Sequence, residues 1–133
     1  MPIKVLIADD HPLIADGIKN AIEKDNSFKV KDVVTNGRET LEYLKNNTID
    51  ILLLDIDMPI MNGIEFLVAI KKIEKYSRIP IIIHTTSSSA EDYFKCKTLG
   101  VCGYFVKHID FKEYKKNLIL ITEYWMRSYT NRT

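Results

Sequence analysis

Five short stretches of the chain are dense in β-branched and other apolar residues: Ile3 to Ala8, Val30 to Val34, Asp50 to Asp55, Ile81 to His84 and Val101 to Val106. Within the third, Ile51 to Leu54 is apolar without a break, as in a central strand covered by helices on both faces. Lysine interrupts the second, so it suits an edge. Between these stretches the apolar residues return at helical spacing. Leu13, Ile14, Ile18, Ala21 and Ile22 follow Pro12, which stands at a helix's first turn, and Asn26-Ser27 closes that helix. Asn36-Gly37 turns into a second helix carrying Leu41, Tyr43 and Leu44. A third is predicted over Ile64 to Lys75, with Ile64, Leu67, Val68 and Ile70 as its apolar side. Ser88 followed by Glu91 gives a capping-box signal, so a fourth runs from about Ala90 to Leu99 and stops at Gly100. The last helix begins near Asp110, carries Phe111, Tyr114, Leu118 and Ile121 on one face, and reaches Tyr124 and Trp125.

Strand and helix thus alternate throughout, which implies right-handed crossovers and a parallel sheet covered on both sides. The expected fold is α/β: a doubly wound, flavodoxin-like (βα)5 unit, with a strand order of 2-1-3-4-5 that the acids at the strand ends call for and that a resemblance to a known family partly supplies. That order sets the strands ending in Asp9-Asp10 and in Asp55 side by side, at the carboxyl edge where open α/β sheets bind ligands. One domain over residues 1–126 is expected, with 127–133 as a frayed tail.

Composition narrows the function. A formal charge of +1, with 28% charged residues, argues against a nucleic-acid face. Lys71-Lys72 and Lys115-Lys116 read as solvated helix faces. The amino terminus enters a strand directly, with no signal or membrane-spanning pattern, so a cytoplasmic protein is expected. Cys96 and Cys102 form no metal or redox motif and read as reduced, partly buried thiols.

The chemistry lies at the strand ends. Two strands deliver three carboxylates to one edge, and at an effective dielectric of ~20 each pair of unit charges ~4 Å apart repels by about 4 kcal/mol. A cation should therefore sit among Asp9, Asp10 and Asp55. No His or Cys is expected at ligand spacing beside them, which favours Mg²⁺ over zinc. With Mg²⁺ bound, an Asp55 oxygen can attack phosphorus and form an acyl phosphate. Thr85 can donate its hydroxyl to one phosphoryl oxygen, and Lys107 can pair its ammonium with another. Taken singly, Thr85 reads equally well as a capping hydroxyl, and Lys107 reads more readily as a surface charge. Their occurrence at successive strand ends carries the weight.

Asp9-Asp10, Asp55 with Met58-Pro59 and Asn62-Gly63, Thr85 and Lys107 together resemble the active-site set of two-component response-regulator receiver domains, strand by strand over nearly the whole chain. The resemblance implies that Asp55 is the phosphoacceptor of a phosphorelay, with a histidine kinase or histidine phosphotransfer protein as donor. It further implies that Asp10 touches the metal directly, that Asp9 acts mostly through water, and that the Asp57 backbone carbonyl is a ligand. Thr85 and Tyr104 match the switch pair, and Asp57 and Ser87 match positions that tune phosphoryl lifetime. The switch is expected to act on a surface of helix 4, strand 5 and helix 5, which could also form a homodimer.

Three departures from the family pattern stand out. His108 replaces the usual proline after the lysine, so a cis bond there is not expected. His84 replaces an aliphatic residue and reads as a hydrogen-bonded core histidine rather than a pH sensor. Thr86 adds bulk beside the switch threonine. Thr85-Thr86-Ser87-Ser88 and Ile121-Thr122-Glu123-Tyr124-Trp125 resemble stand-alone receivers serving phytochrome-type or hybrid kinases. Asp9-Asp10-His11-Pro12 resembles receivers attached to DNA-binding effectors, so a fragment of a longer regulator is an alternative. Another is a haloacid-dehalogenase-like phosphatase using Asp55 and Asp57. A flavodoxin-like nucleotide binder ranks third, because no Gly-rich phosphate loop follows the first strand.

Overall fold

A computed structural model describes residues 2–107 together with Lys116 and Leu120. Strands β1 (Ile3–Ala8), β2 (Phe28–Val34), β3 (Ile51–Leu54), β4 (Ile81–Thr85) and β5 (Gly103–Val106) alternate with helices α1 (Pro12–Glu23), α2 (Gly37–Asn46), α3 (Gly63–Lys71) and α4 (Ala90–Thr98). Every neighbouring pair is parallel, as the βα alternation predicts, and the order is β2-β1-β3-β4-β5, the one expected. The expected last helix and tail fall outside the described residues. Among the described residues no helix is long and apolar enough to cross a membrane.

Strand residues alternate between the two faces, so a sheet apolar on both sides builds two cores. Leu6, Leu52, Leu54, Ile81 and Ile83 pack with Phe66, Leu67 and Ile70 of α3 and Cys96 of α4. Val5, Ile7, Ile51, Leu53 and Ile82 pack instead with Ala15, Ile18 and Ile22 of α1. Each fully buried Leu or Ile stabilises the fold by about 1.5–3 kcal/mol. Those two layers hold β1 and β3 in register: Ala8 lies opposite Leu54, and the Asp55 N–H donates to the Ala8 carbonyl at 2.9 Å. Asp9 and Asp55 consequently leave the sheet at the same level.

Three local expectations are corrected. The third helix ends at Lys71, followed by a single 3-10 turn at Glu74–Tyr76. The Tyr76 hydroxyl donates to the Leu44 carbonyl at 3.1 Å, whereas a continued helix would carry position 76 roughly 130° away from the buried stripe. That stripe is Gly63, Phe66, Leu67 and Ile70; Val68, expected inside, is 42% exposed. Nearly every residue of the segment is apolar, so periodicity could not choose the face. Finally, α4 is capped by Ser89, whose side chain accepts from the Asp92 N–H, one residue later than the predicted Ser88 box. The strand bounds shift as well: β2 begins at Phe28 and β5 only at Gly103.

Candidate functional site

At the carboxyl end of the sheet, Asp9 and Asp55 are each 1% exposed. Lys107, just past β5, reaches across β4 and donates to Asp9 Oδ2 at 2.8 Å and to Asp55 Oδ2 at 3.1 Å. Two buried carboxylates without a cation would repel strongly, and a shared ammonium lowers that cost. Their protonation is pulled in opposite directions. Burial opposes ionisation of Asp9, yet surrounding positive charge, the Lys107 hydrogen bond and the His11 N–H outweigh it and hold the carboxyl below its ordinary value. Burial pushes Asp55 above its ordinary value, with the Asp9 charge adding to the push and Lys107 only partly offsetting it.

His11 overturns the expectation that no histidine accompanies the acids. Its backbone is extended (φ −105, ψ 96) as it caps α1, and the ring turns back into the site. Nδ1 lies 2.8 Å from Asp9 Oδ1, 3.2 Å from Asp10 Oδ1 and 3.6 Å from Asp55 Oδ2. The Asp9 hydrogen bond raises the imidazole above its ordinary value, reinforced by the charges of Asp9 and Asp10. Next to Pro12, the residue read from sequence only as the opening of a helix. Asp9, Asp10, His11 and Asp55 offer ligand atoms that all lie within 4.8 Å of one another. Asp10 Oδ1 is shielded from solvent yet takes no hydrogen bond among the described residues. A buried carboxylate oxygen left open in such a group fits a cation.

His84 is fully buried in β4, as the core reading expected, with Nδ1 3.7 Å from Asp9 Oδ2. Burial lowers it to about 3, with the Lys107 charge acting in the same direction, so the ring is neutral near pH 7.

Thr85 ends β4 fully buried, and its Oγ1 accepts from the Ser87 N–H at 3.2 Å. A hydroxyl accepting one bond still has a proton to give. The Lys107 N–H donates to the Thr85 carbonyl at 2.6 Å, tying β5's exit to β4's. Tyr104 pairs with Ile83, so it shares a sheet face with Thr85; it is partly buried and meets Tyr93 edge-on at 5.2 Å. Asp57 enters the site through its backbone N–H, 3.3 Å from Asp55 Oδ1, while its exposed carboxylate lies 3.5 Å from the Thr86 hydroxyl. Ser87 Oγ donates to Asp92 Oδ2 at 2.7 Å and so faces α4.

The β3–α3 loop is held by contacts that only glycine permits. A Cβ on Gly63 would sit 2.3 Å from the Asp55 carbonyl oxygen and 2.9 Å from Ile56 Cα. The Gly63 N–H donates to the Ile56 carbonyl at 2.9 Å. Asn62 and Glu65 form a reciprocal capping box that starts α3 there. Sequence signalled Asn62-Gly63 as a turn; the close approach behind the phosphoacceptor candidate was not visible in it.

Comparison with known proteins gives a consistent result. The family model described as response regulator receiver domain matches residues 5–119. The chain is 31% identical over 117 residues to the nitrate/nitrite response regulator protein NarL of Escherichia coli, covering 88% of this chain and 53% of that protein. It is 36% identical over 107 residues to a protein-glutamate methylesterase/protein-glutamine glutaminase of Treponema denticola, covering 79% of this chain and 28% of that one. It therefore spans about half, or less, of these relatives' length. Among solved structures, the phosphorylated cyanobacterial phytochrome response regulator RcpA superposes with a TM-score of 0.89 at 25% identity, covering 96% of each chain. The chemotaxis response regulator CheY4 of Vibrio cholerae gives 0.75 at 29% identity, covering 89% of this chain and 97% of that one. A match over most of the chain, on a sheet of the same order whose carboxyl edge gathers the acids and lysine predicted for it, means that this chain belongs to the response-regulator receiver domains of two-component signalling.

Proposed function

We propose that Asp55 accepts a phosphoryl group from a phosphohistidine on a histidine kinase or phosphotransfer protein, in a reaction that depends on a divalent cation such as Mg²⁺. The observation that carries this reading is Lys107 bridging Asp9 and Asp55 at 2.8 and 3.1 Å. Three strand ends meet on one charge. Asp9, Asp10 and Asp55, with the Asp57 carbonyl, would hold the cation, which supplies neutralisation of the phosphoryl oxygens.

The chain's own groups do the rest. An Asp55 carboxylate oxygen attacks phosphorus, and a P–O bond forms as the donor's P–N bond breaks. The electron pair leaves with the imidazole, which takes a proton from solvent. Lys107 transfers its ammonium from the carboxylates to a phosphoryl oxygen, and Thr85 donates its hydroxyl to another. Movement of Thr85 toward the phosphoryl group vacates space into which Tyr104 can turn, biasing the surface of α4 and β5, with the helix expected from the sequence after Asp110, toward a protein partner or a second copy. Asp57 and Ser87, at the rim, set how readily water reaches the acyl phosphate. The phosphatase alternative is not favoured: it would need Asp57 as a general acid, but that carboxylate is exposed beside Thr86.

Incubation with acetyl phosphate and Mg²⁺, followed by intact-mass analysis, tests the proposal. One phosphoryl adduct per chain is expected, absent in Asp55→Asn and without divalent cation. Labelling that persists in Asp55→Asn would refute it, as would multiple turnover of p-nitrophenyl phosphate.

A further inference from the structure

The acids and lysine of the site are absorbed by the phosphoacceptor reading, but His11 is not. We infer that the His11 imidazole is a nitrogen ligand of the same cation, so that the site favours borderline divalent ions such as Mn²⁺ over Mg²⁺. The inference rests on the cation site proposed above and concerns which ion fills it.

Three observations support it. First, Nδ1 is 2.8, 3.2 and 3.6 Å from oxygens of three different carboxylates. Neighbouring ligands ~2.1 Å from an octahedral ion are ~3.0 Å apart, and those of a tetrahedral ion at ~2.0 Å are ~3.3 Å apart. The observed spacings match those of atoms that could share one ion, which would take the place of the Nδ1–Asp9 hydrogen bond. Second, the ring is held there by the fold. Pro12 starts α1 directly behind it, and the His11 N–H donates to Asp9 Oδ1 at 2.9 Å. Third, Asp10 Oδ1 is shielded from solvent, close to Nδ1, and without a hydrogen bond among the described residues. An ion placed between them would satisfy the Asp10 oxygen and take the nitrogen from its bond to Asp9.

The chemical consequence follows from donor type. An all-oxygen site suits hard Mg²⁺, which dehydrates reluctantly and prefers to keep several waters. Replacing one oxygen by an imidazole nitrogen favours ions further along the first transition series, because imidazole bonds them more strongly. A histidine that only neutralised the acids would instead weaken binding of all divalent ions alike.

Calorimetric titration of the full chain with Mg²⁺ and with Mn²⁺, for wild type and His11→Asn, distinguishes these outcomes. The expected result is that the substitution lowers Mn²⁺ affinity about tenfold more than Mg²⁺ affinity. Pulsed electron paramagnetic resonance of the Mn²⁺-loaded wild type should show coupling to one imidazole nitrogen, lost in His11→Asn. Absence of that coupling in wild type, or equal changes for both ions, would overturn the inference and leave the phosphoacceptor reading standing if acetyl phosphate still labels Asp55. Failure of both ions to bind would overturn the two together.

Discussion

At the carboxyl end of the sheet, Asp9 and Asp55 are each 1% exposed and share one lysine. At the amino end, Lys4, Lys31, Lys45 and Lys75 line an open concavity of about 810 Å³. Its charges lie at the surface: the Lys45 ammonium is 3.3 Å from Glu42, with side chains 64% and 69% exposed. That concavity therefore carries little interaction energy, because solvated charges interact weakly. At the opposite end the same residue types are desolvated, and each removal leaves an uncompensated charge in low dielectric. Desolvated charge is what sets the carboxyl end of the sheet apart from the amino end.

The largest expected effect is at Lys107. Lys107→Met leaves two buried carboxylates facing each other, and we expect a loss of about 3 kcal/mol or more at pH 7 without divalent cation, measured by urea unfolding. Added Mg²⁺ should restore part of it by taking the ammonium's place. A loss below about 1 kcal/mol would mean that the two carboxylates are not ionised together in the native state.

Gly63 comes next. Its substitution by Ala puts a Cβ against the backbone of Asp55 and Ile56, neither of which can rotate away. Overpacking of this kind costs about 2 to 3 kcal/mol, and displacement of the Asp55 carbonyl should also slow acetyl phosphate labelling. Gly100→Ala provides the contrast. Gly100 has φ +79 but its nearest neighbour is the flexible Lys71 Nζ at 3.6 Å, so only backbone strain of about 1 to 2 kcal/mol is expected, with labelling unchanged. Equal labelling defects in both would remove the steric argument.

A smaller effect is set by pH. Burial holds His84 at about 3, so below the ordinary imidazole value the unfolded chain binds a proton that the native state excludes. Stability therefore falls as pH drops below ~6.5 and continues to fall toward ~3, amounting to about 2 kcal/mol between pH 7 and pH 5. His11 acts in the opposite sense. Its raised value adds stability that is present below ~6.5 and lost as pH rises through the folded value, though the side chain is 46% exposed and solvent weakens the term. In His84→Leu the acid-side loss should shrink by about 2 kcal/mol, read as the wild-type difference at pH 5 minus that at pH 7. An unchanged pH slope would show that the ring is charged in the native protein.

What could be read from the chain depended on how local the cause was. Alternation of apolar runs with helical spacing gave the parallel, doubly wound sheet, because a parallel crossover leaves few other solutions, whereas the strand order came partly from the family resemblance. Asp9, Asp10, Asp55 and Lys107 were found because strand ends in such a sheet share one edge. His11 was missed because a neighbouring proline explains it locally, and its role depends on a backbone angle that composition does not reveal. The end of α3 was missed because it is decided by Tyr76 reaching Leu44, a contact across 32 residues. Phe66 and Val68 were exchanged for a related reason: in a helix apolar nearly all round, only the neighbouring layers decide which side is buried.

The smallest expected effect lies at the amino end. Lys45→Met removes a pair three residues apart on the surface of α2 and a basic residue from its last turn. Such a pair is worth about 0.2–0.5 kcal/mol, and a cation near a helix carboxyl end adds a similar amount at low salt. Both terms act through water, so raising salt toward ~1 M, where the screening length falls to ~3 Å, should erase the difference from wild type. The Lys107→Met deficit should survive the same concentration of monovalent salt, since the Lys107 side chain is 6% exposed and a buried pair is screened far less than a surface one. If both deficits fade together as salt rises, the charges at the two ends are screened alike, and burial at the carboxyl edge cannot be what sets Asp9, Asp55 and Lys107 apart.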